Sequence, residues 1–439
     1  VVGTRSAVFA PLHTLGLIIM DEEQELTYKS ERTPRYHARD IARYRAGESG
    51  ALFVMASATP SIESYAAAKA GKYTLCSLEH RFGNAALPQV CTVDMKGEMH
   101  AGHRSPLSRT LQKQIQSNLD AGKQTILLMN RRGYNTFIAC NDCGHVITCP
   151  NCSISLTYHS YSNRLMCHYC GYSKPLDNTC PECGSHAVRY SGFGTQRIED
   201  ELQALFPAAR ILRMAADTTA GKFSHQKLFD AFAAHEYDIL VGTQMVAKGL
   251  DFDDVTLVGV VNADNALYDE NYLSHERAFD LITQVVGRSG RRELPGRAFL
   301  QTYQPDHPVL TAAARQDYPA FYKTEVETRR LLLYPPFCRL YCLGFWGENE
   351  AEVKRAGQAV FSLVRLLPAE CPELPVRLLG LAPAGVLRVA GRYRYKLLIK
   401  GKNSPRMREL LWRLFTEPAL AQPMKNVTLT IEPNYDSDL

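Results

Sequence analysis

Four Cys-x-x-Cys pairs, Cys140/Cys143, Cys149/Cys152, Cys167/Cys170 and Cys180/Cys183, hold eight of the thirteen cysteines of this chain. A gap of two residues lets both sulfurs face one tetrahedral metal ion. Eight thiolates fill two tetrahedra and leave no ligand position for water, so the chemistry they predict is structural zinc binding, not metal catalysis. A disulfide framework is the competing reading. Strict Cys-x-x-Cys repetition argues against it, and the other cysteines (Cys76, Cys91, Cys338, Cys342, Cys371) are scattered like ordinary thiols. The inner pairs flank Ser153 to Met166, which reads as a hairpin. Cys149, Cys152, Cys167 and Cys170 are therefore expected on one zinc, nested inside a second zinc held by Cys140, Cys143, Cys180 and Cys183.

A second set of residues has the types needed to handle a nucleotide. Asp21-Glu22 follows the apolar run Leu15–Met20. At a strand end, the first carboxylate of such a pair holds Mg²⁺ and the second polarises the attacking water. Acids also simply end strands, so the pair needs support. Gln284-Val-Val-Gly-Arg288-Ser-Gly-Arg291 supplies some, because arginines three apart on a helix point the same way and can clamp a γ-phosphate. A solvated basic helix is the bland alternative. In Gly242-Thr-Gln-Met-Val-Ala-Lys-Gly249-Leu-Asp251, Gly249 allows close backbone approach and Asp251 could hydrogen-bond a ribose hydroxyl.

These residues need strands and helices to place them. Leu15–Met20, Ala51–Met55, Thr125–Met129, Tyr237–Val241 and Thr256–Val261 are short apolar runs that each end in polar residues. They read as buried parallel strands, with amphipathic helices at Leu107–Leu119, Gln196–Leu205 and His225–Ala234 between them. This alternation predicts a doubly wound α/β fold whose sites sit at the carboxyl ends of the strands. After Tyr334-Pro-Pro-Phe337 the pattern changes to alternating runs, Arg339–Phe345, Tyr395–Ile399 and Val427–Ile431, which predict a small α+β domain.

The 439 residues are ordinary in composition, 45% apolar and 22% charged, with a net charge of +5 that suits a polyanionic partner without requiring one. No apolar run is long enough to span a bilayer, so no membrane association is expected. The expected domains are 1–102, part of a first α/β lobe; 103–328, a second lobe carrying the zinc insertion at 138–190; and 329–439, a C-terminal domain.

Gly3-Thr-Arg-Ser-Ala7, Asp21-Glu-Glu-Gln24, Ser57-Ala-Thr59, Asn130-Arg-Arg-Gly133, Gly242-Thr-Gln244 and Gln284 to Arg291, in that order, resemble the superfamily-two helicases, with their two RecA-like lobes. The eight-cysteine insertion directly after Asn130-Arg-Arg-Gly-Tyr134 is more specific and resembles the primosomal replication-restart helicases. Tyr36-His-Ala-Arg-Asp40 and Gln301 to Pro308 resemble that family too, so the likeness covers essentially the whole chain. It implies that 1–102 is the C-terminal part of helicase lobe 1, 103–328 helicase lobe 2, and 329–439 a DNA- or partner-binding domain.

The resemblance implies an ATP- and Mg²⁺-dependent 3′-to-5′ DNA helicase that recognises stalled or branched forks, unwinds the lagging strand and initiates primosome assembly. It implies a bacterial cytoplasmic, nucleoid-associated location. The implied partners are single-stranded and forked DNA, the single-strand-binding protein tail, and primosome and helicase-loader proteins. Carried over by motif, Asp21 and Glu22 handle Mg²⁺ and water. Ser57 and Thr59 couple the lobes, and Arg288 and Arg291 meet the γ-phosphate beside Gln284. Thr4, Arg5, Thr243 and Gln244 contact the single strand. Tyr28 to His37 resembles an aromatic-rich loop that links DNA binding to hydrolysis. Tyr28 and Tyr36 either stack on bases or merely pack against the lobe.

The chain departs from the family pattern at Gln24, where histidine is usual, and at Val286 and Ser289, where alanine is common. It also has no G-x-x-x-x-G-K-[S/T] phosphate loop. The opening Val1-Val2-Gly3-Thr4 falls inside a motif, so we expect a fragment whose phosphate loop and N-terminal DNA-binding domains lie upstream and which does not hydrolyse ATP competently alone. In Gly391-Arg-Tyr-Arg-Tyr-Lys396 a strand would put Arg392, Arg394 and Lys396 on one face, either contacting DNA or forming a charged outer face. Arg406 and Arg408 are expected contacts for the single-strand-binding protein tail. The rival class is a non-hydrolysing zinc scaffold that binds branched DNA and recruits helicase loaders.

Overall fold

The computed structural model describes all residues except 31–34, 79–87, 130–137, 141, 160–162, 178, 187, 191–194, 215–223, 244–251, 253, 270, 288–295, 371–375 and 436–439. The chain divides into two compact units, Val1–Cys76 with Val326–Leu439, and Ser77–Glu325. Among the described residues no helix is long and apolar enough to cross a membrane.

The first unit begins with two parallel strands, β1 (Leu17–Met20) and β2 (Leu52–Met55), in the register Leu17↔Leu52 to Met20↔Met55. The helix Ala38–Ser49 joins them and buries Ala38, Ala42 and Ala46. Its start is capped by His37, which accepts from the Arg39 N–H, and it stops at Gly50 with φ of 63°. The apolar runs predicted burial on both faces. Instead Leu17, Ile19 and Leu52 are 51%, 63% and 64% exposed, because only one face of this pair is covered within the described residues.

The second unit is built on a six-stranded parallel sheet. Its strands are β3 (Gln89–Asp94), β4 (Gln124–Leu128), β10 (Ile211–Met214), β11 (Ile239–Gly242), β12 (Val255–Val260) and β13 (Arg297–Thr302), in the order β10-β11-β4-β12-β13-β3. One face packs Leu127, Ile239, Val241 and Leu257 against Leu111 and Ile115 of helix Arg109–Asp120 and Ile198 and Leu202 of helix Thr195–Leu205. Helix Ser274–Val286 packs against β12. Gln301 ties the layers together. Its buried amide accepts from the Ser108 N–H at 2.7 Å and donates to the carbonyls of Pro106 and Val261 at 2.8 and 3.0 Å.

Between β4 and β10 the chain makes an excursion closed at its base by β5 (Ile138–Cys140) and β9 (Val188–Tyr190), antiparallel with Ile138 opposite Tyr190. It carries the small antiparallel sheet β6 (Thr157–His159), β7 (Arg164–Met166) and β8 (Ser173–Pro175).

The first unit resumes with an antiparallel sheet of β14 (Arg339–Gly347), β15 (Arg377–Val389), β16 (Arg392–Gly401) and β17 (Thr428–Pro433), in the order β15-β16-β14-β17. Tyr341, Leu343 and Phe345 of β14 alternate onto one face with Leu397 and Ile399 of β16. They pack against Val353, Val360 and Val364 of helix Glu350–Glu370 and Met407, Leu410 and Leu414 of helix Pro405–Thr416.

Candidate functional site

The acidic motif sits at the carboxyl end of β1. The Ala56 N–H donates to Met20 O at 2.8 Å and the Glu23 N–H to Ala56 O at 3.1 Å, so the turn is laced to β2. At Glu22 the backbone is left-handed, with φ of 47°, a conformation that side-chain-bearing residues rarely hold unless their surroundings dictate it. This turn leaves Asp21 and Glu22 exposed and buries Glu23. The Glu22 N–H donates to Asp21 Oδ1 at 3.0 Å. Gln24 then connects two motifs. Its Nε2 donates to Glu22 Oε2 at 2.7 Å, and its Oε1 accepts from Ser57 Oγ at 2.6 Å. Ser57 Oγ also accepts from the Thr59 N–H at 2.9 Å, and Thr59 is buried. Two exposed carboxylates at a strand end are the hard oxygen donors that Mg²⁺ takes, so the donor chemistry fits a nucleotide-bound metal.

Glu23 was not singled out from the sequence. Its Oε1 accepts from the Ser61 N–H at 2.6 Å, and its Oε2 accepts from Arg39 Nη1 at 2.9 Å and Ser64 Oγ at 3.0 Å. Burial works against the Arg39 charge, but Glu23, Glu63 and Asp40 outweigh it and hold the guanidinium above its ordinary pKa. The apolar-run-plus-acids pattern could not separate this third carboxylate from the two exposed ones, because the separation depends on the turn.

The aromatic segment is engaged with its own unit. Tyr28 Oη donates to Asp21 O at 2.7 Å, and burial, then Asp21, Glu25 and Glu22, raise its phenol above the usual value. Tyr36 meets Phe9 edge-on at 4.9 Å. Arg5 donates to the carbonyls of Thr27 and Lys29, while Thr4 is exposed at the start of a short 3₁₀ turn. In the second unit Thr243 follows β11, and Gln284 lies partly buried in helix Ser274–Val286. Gln244, Gly249, Asp251, Arg288 and Arg291 lie outside the described residues.

The cysteines gather into two sets, Cys140, Cys143, Cys180 and Cys183, and Cys149, Cys152, Cys167 and Cys170, with the sulfurs of each within 4.8 Å of one another. Sulfurs at Cys140 and Cys183, Cys143 and Cys180, and Cys149 and Cys170 are each 3.6 Å apart. Around a zinc ion with Zn–S bonds of about 2.3 Å, neighbouring sulfurs lie about 3.8 Å apart, so the spacing of each set fits one zinc ion. One local design repeats four times. The N–H of each leading cysteine donates to the carbonyl five residues on: Cys140 to His145, Cys149 to Ile154, Cys167 to Tyr172 and Cys180 to Ser185. The fifth residue of each turn is left-handed: Gly144, Ser153, Gly171 and Gly184.

The C-terminal basic strand differs from expectation. Arg392 is exposed, but Arg394 is 6% and Lys396 4% exposed. The Arg394 guanidinium lies 4.5 Å over the Trp346 ring, and Lys396 Nζ donates to Tyr435 Oη at 2.8 Å. Lys400 Nζ sits 3.5 Å over the Tyr334 ring. Each buried cation meets an aromatic ring, so the face is neither an open DNA surface at Arg394 nor a solvated one. Arg408 is exposed and donates to Asn403 Oδ1 at 3.2 Å.

A parallel α/β unit interrupted by two four-cysteine ribbons, with a small antiparallel domain after it, defines a zinc-ribbon helicase-type protein. Three family models match accordingly: PriA DNA helicase Cys-rich region domain at residues 149–175, helicase conserved C-terminal domain at 194–293, and primosomal protein N C-terminal domain at 330–434. The chain is 44% identical to replication restart protein PriA of Bacillus subtilis over 434 residues, 99% of this chain and 53% of that protein. It is 43% identical to that of Synechocystis over 410 residues (91% and 49%), and 40% identical to that of Treponema pallidum over 406 residues (92% and 60%). The chain belongs to the PriA family of replication restart helicases. It spans about half the length of these curated relatives.

Proposed function

We propose that this chain supplies the catalytic strand-end motifs, the zinc ribbons and the C-terminal domain of an ATP-driven DNA helicase. The helicase works 3′ to 5′ on stalled or branched forks and reloads the replication machinery. The observation that carries the reading is the left-handed turn at Glu22, which projects Asp21 and Glu22 from β1 while Gln24 links Glu22 to Ser57. Mg²⁺ bound with ATP neutralises charge developing on the transferred phosphoryl group. On this reading Asp21 would hold that metal, and Glu22 would orient the attacking water. Ser57 and Thr59 report the state of the acidic motif to the other lobe. Motif resemblance assigns Gln284, Arg288 and Arg291 to the γ-phosphate, and Gly249 and Asp251 to the nucleotide. Thr4, Arg5, Thr243, Gln244 and the exposed Arg392 track the DNA backbone, with Tyr28 and Tyr36 beside it.

The ribbons are structural on this reading, each closed around a zinc ion by four sulfurs. Membership of the family, whose relatives are named for replication restart, supports forked DNA, the single-strand-binding protein tail and primosome proteins as partners. It also supports a cytoplasmic, nucleoid-associated location. The test is Glu22→Gln in the intact protein. The amide keeps the shape and loses the carboxylate, so DNA and nucleotide binding should persist while DNA-stimulated ATP turnover is abolished. Turnover within about threefold of wild type would remove Glu22 from the chemistry, whereas absence of DNA-stimulated turnover in the unsubstituted intact protein would favour the non-hydrolysing scaffold.

A further inference from the structure

Three segments meet at one buried carboxylate. Glu23 is 2% exposed and follows the left-handed Glu22 directly. Its oxygens take the Ser61 N–H at the cap of helix Ile62–Lys69, the hydroxyls of Ser61 (3.2 Å) and Ser64 (3.0 Å), and the guanidinium of Arg39 from the first turn of helix Ala38–Ser49 (2.9 Å). Arg39 Nη1 also donates to Ser61 Oγ and Ser64 Oγ at 2.9 and 3.0 Å. Consecutive side chains of a tight turn point apart. Fixing Glu23 inward therefore fixes Glu22 outward, and an unfavourable left-handed residue persists only where its neighbours over-determine it.

Resting on the reading of Glu22 given above, we infer that Glu23 and Arg39 are positioning residues for turnover. Their buried pair holds the left-handed turn that aims the Glu22 carboxylate, with Ser61 and Ser64 as its supports. The pair touches no nucleotide and acts through Glu22. A merely structural pair would lower stability and leave the aim of Glu22 unchanged.

The test uses Glu23→Gln, Arg39→Lys and Ser64→Ala in the intact protein. DNA-stimulated ATP turnover, the KM for ATP, DNA affinity and thermal melting are measured for each. Glu23→Gln should lower kcat about tenfold or more while KM and DNA affinity stay within about twofold, and Arg39→Lys should fall between it and wild type. If Glu23→Gln does not fold, Ser64→Ala, which removes one hydroxyl donor, should lower melting only slightly and still lower kcat about threefold. A kcat within about twofold of wild type in the folded variants, with melting alone reduced, overturns the proposal. A Glu22→Gln protein that still turns over overturns the underlying reading of the site, an outcome distinct from failure of Glu23→Gln alone.

Discussion

Lys29 and Glu432 form an ion pair across 403 positions of sequence, and Arg35 joins the same carboxylate at 3.1 Å. Glu432 is 2% exposed, so one buried acid on β17 holds both ends of the segment that carries Tyr28 and Tyr36. Removing one member of such a cluster leaves its cations desolvated, which costs about 3–5 kcal/mol when a pair is fully buried. Lys29 and Arg35 are 14% and 22% exposed, so Glu432→Ala should destabilise the first unit by about 2–3 kcal/mol in denaturant melts. Glu432→Gln, which can still accept hydrogen bonds, should cost less.

The Ser57–Gln24–Glu22 chain makes a kinetic prediction. Ser57→Ala removes the donor to Gln24 Oε1 and the acceptor for the Thr59 N–H, leaving Gln24 free to release Glu22 Oε2. Turnover should fall about tenfold to a hundredfold with nucleotide affinity little changed, read from kcat and KM in the intact protein. An equal loss in Gln24→Ala and in the Ser57→Ala, Gln24→Ala double variant would show that the two act as one unit.

Much of this architecture was legible in local pattern. The runs ending at Met20, Met55 and Met129 became β1, β2 and β4 with carboxyl ends shifted by one residue at most and β1 starting two residues late, and the cysteine nesting followed from spacing and the expected hairpin between the inner pairs. What escaped depended on neighbours distant in sequence. Alternation placed Arg394 and Lys396 on one face of β16, but Trp346 and Tyr435 decide that this face is closed. The pattern at β1 and β2 reports apolar faces and not what covers them, so the exposure of Ile19 and Leu52 could not be read from it. Glu23 looked like one more acid after a strand until the positive φ at Glu22 turned it inward.

His307 makes the second unit acid-sensitive. Its Nδ1 accepts from the Val309 N–H at 3.3 Å to cap helix Pro308–Arg315, which requires a neutral ring nitrogen. Burial, then His275 with rings 5.4 Å apart, lower its pKa from 6.5 to about 4. The unfolded chain therefore binds a proton that the folded chain refuses, and stability falls as pH drops from about 6.5 to about 4. At 1.36 kcal/mol per pKa unit the loss from this group is up to roughly 3 kcal/mol. His307→Asn keeps a capping acceptor without titrating, so denaturant melts of the variant should lose that share of the slope.

The cysteine sets predict two zinc ions per chain by elemental analysis. A free cysteine thiol titrates at about 8.5 and burial pushes Cys143 up to about 12, so thiols released from zinc carry protons at neutral pH. Zinc must displace those protons, and its affinity should fall as pH falls. A chelating dye should extract zinc faster at pH 5 than at pH 8. Cys149→Ser should lose one zinc while Cys140, Cys143, Cys180 and Cys183 keep the other.

The fourfold knuckle repeat yields a paired prediction of opposite sign. Gly144 has φ of 73°, and a Cβ there would sit 3.0 Å from Tyr303 Cβ and 3.2 Å from Tyr303 O, so the turn is held against the segment after β13. Alanine would meet both the left-handed backbone cost of about 1–2 kcal/mol and tight contacts with Tyr303, which would have to shift slightly. Gly144→Ala should therefore destabilise the second unit by about 2 kcal/mol or more and loosen the zinc of Cys140 and Cys143 first. Ser153 occupies the equivalent position with φ of 57° and carries the side chain that the other three turns avoid. Replacing it with glycine removes the left-handed penalty but gives the unfolded chain more freedom, so the net gain should be under about 1 kcal/mol. Zinc release by the Cys149 set on heating should shift upward in Ser153→Gly and stay unchanged in Gly144→Ala, where the Cys140 set should release earlier. Unchanged release from the Cys140 set in folded Gly144→Ala would mean that its turn adapts without disturbing the sulfurs, and that the approach of Tyr303 does not tighten that ribbon.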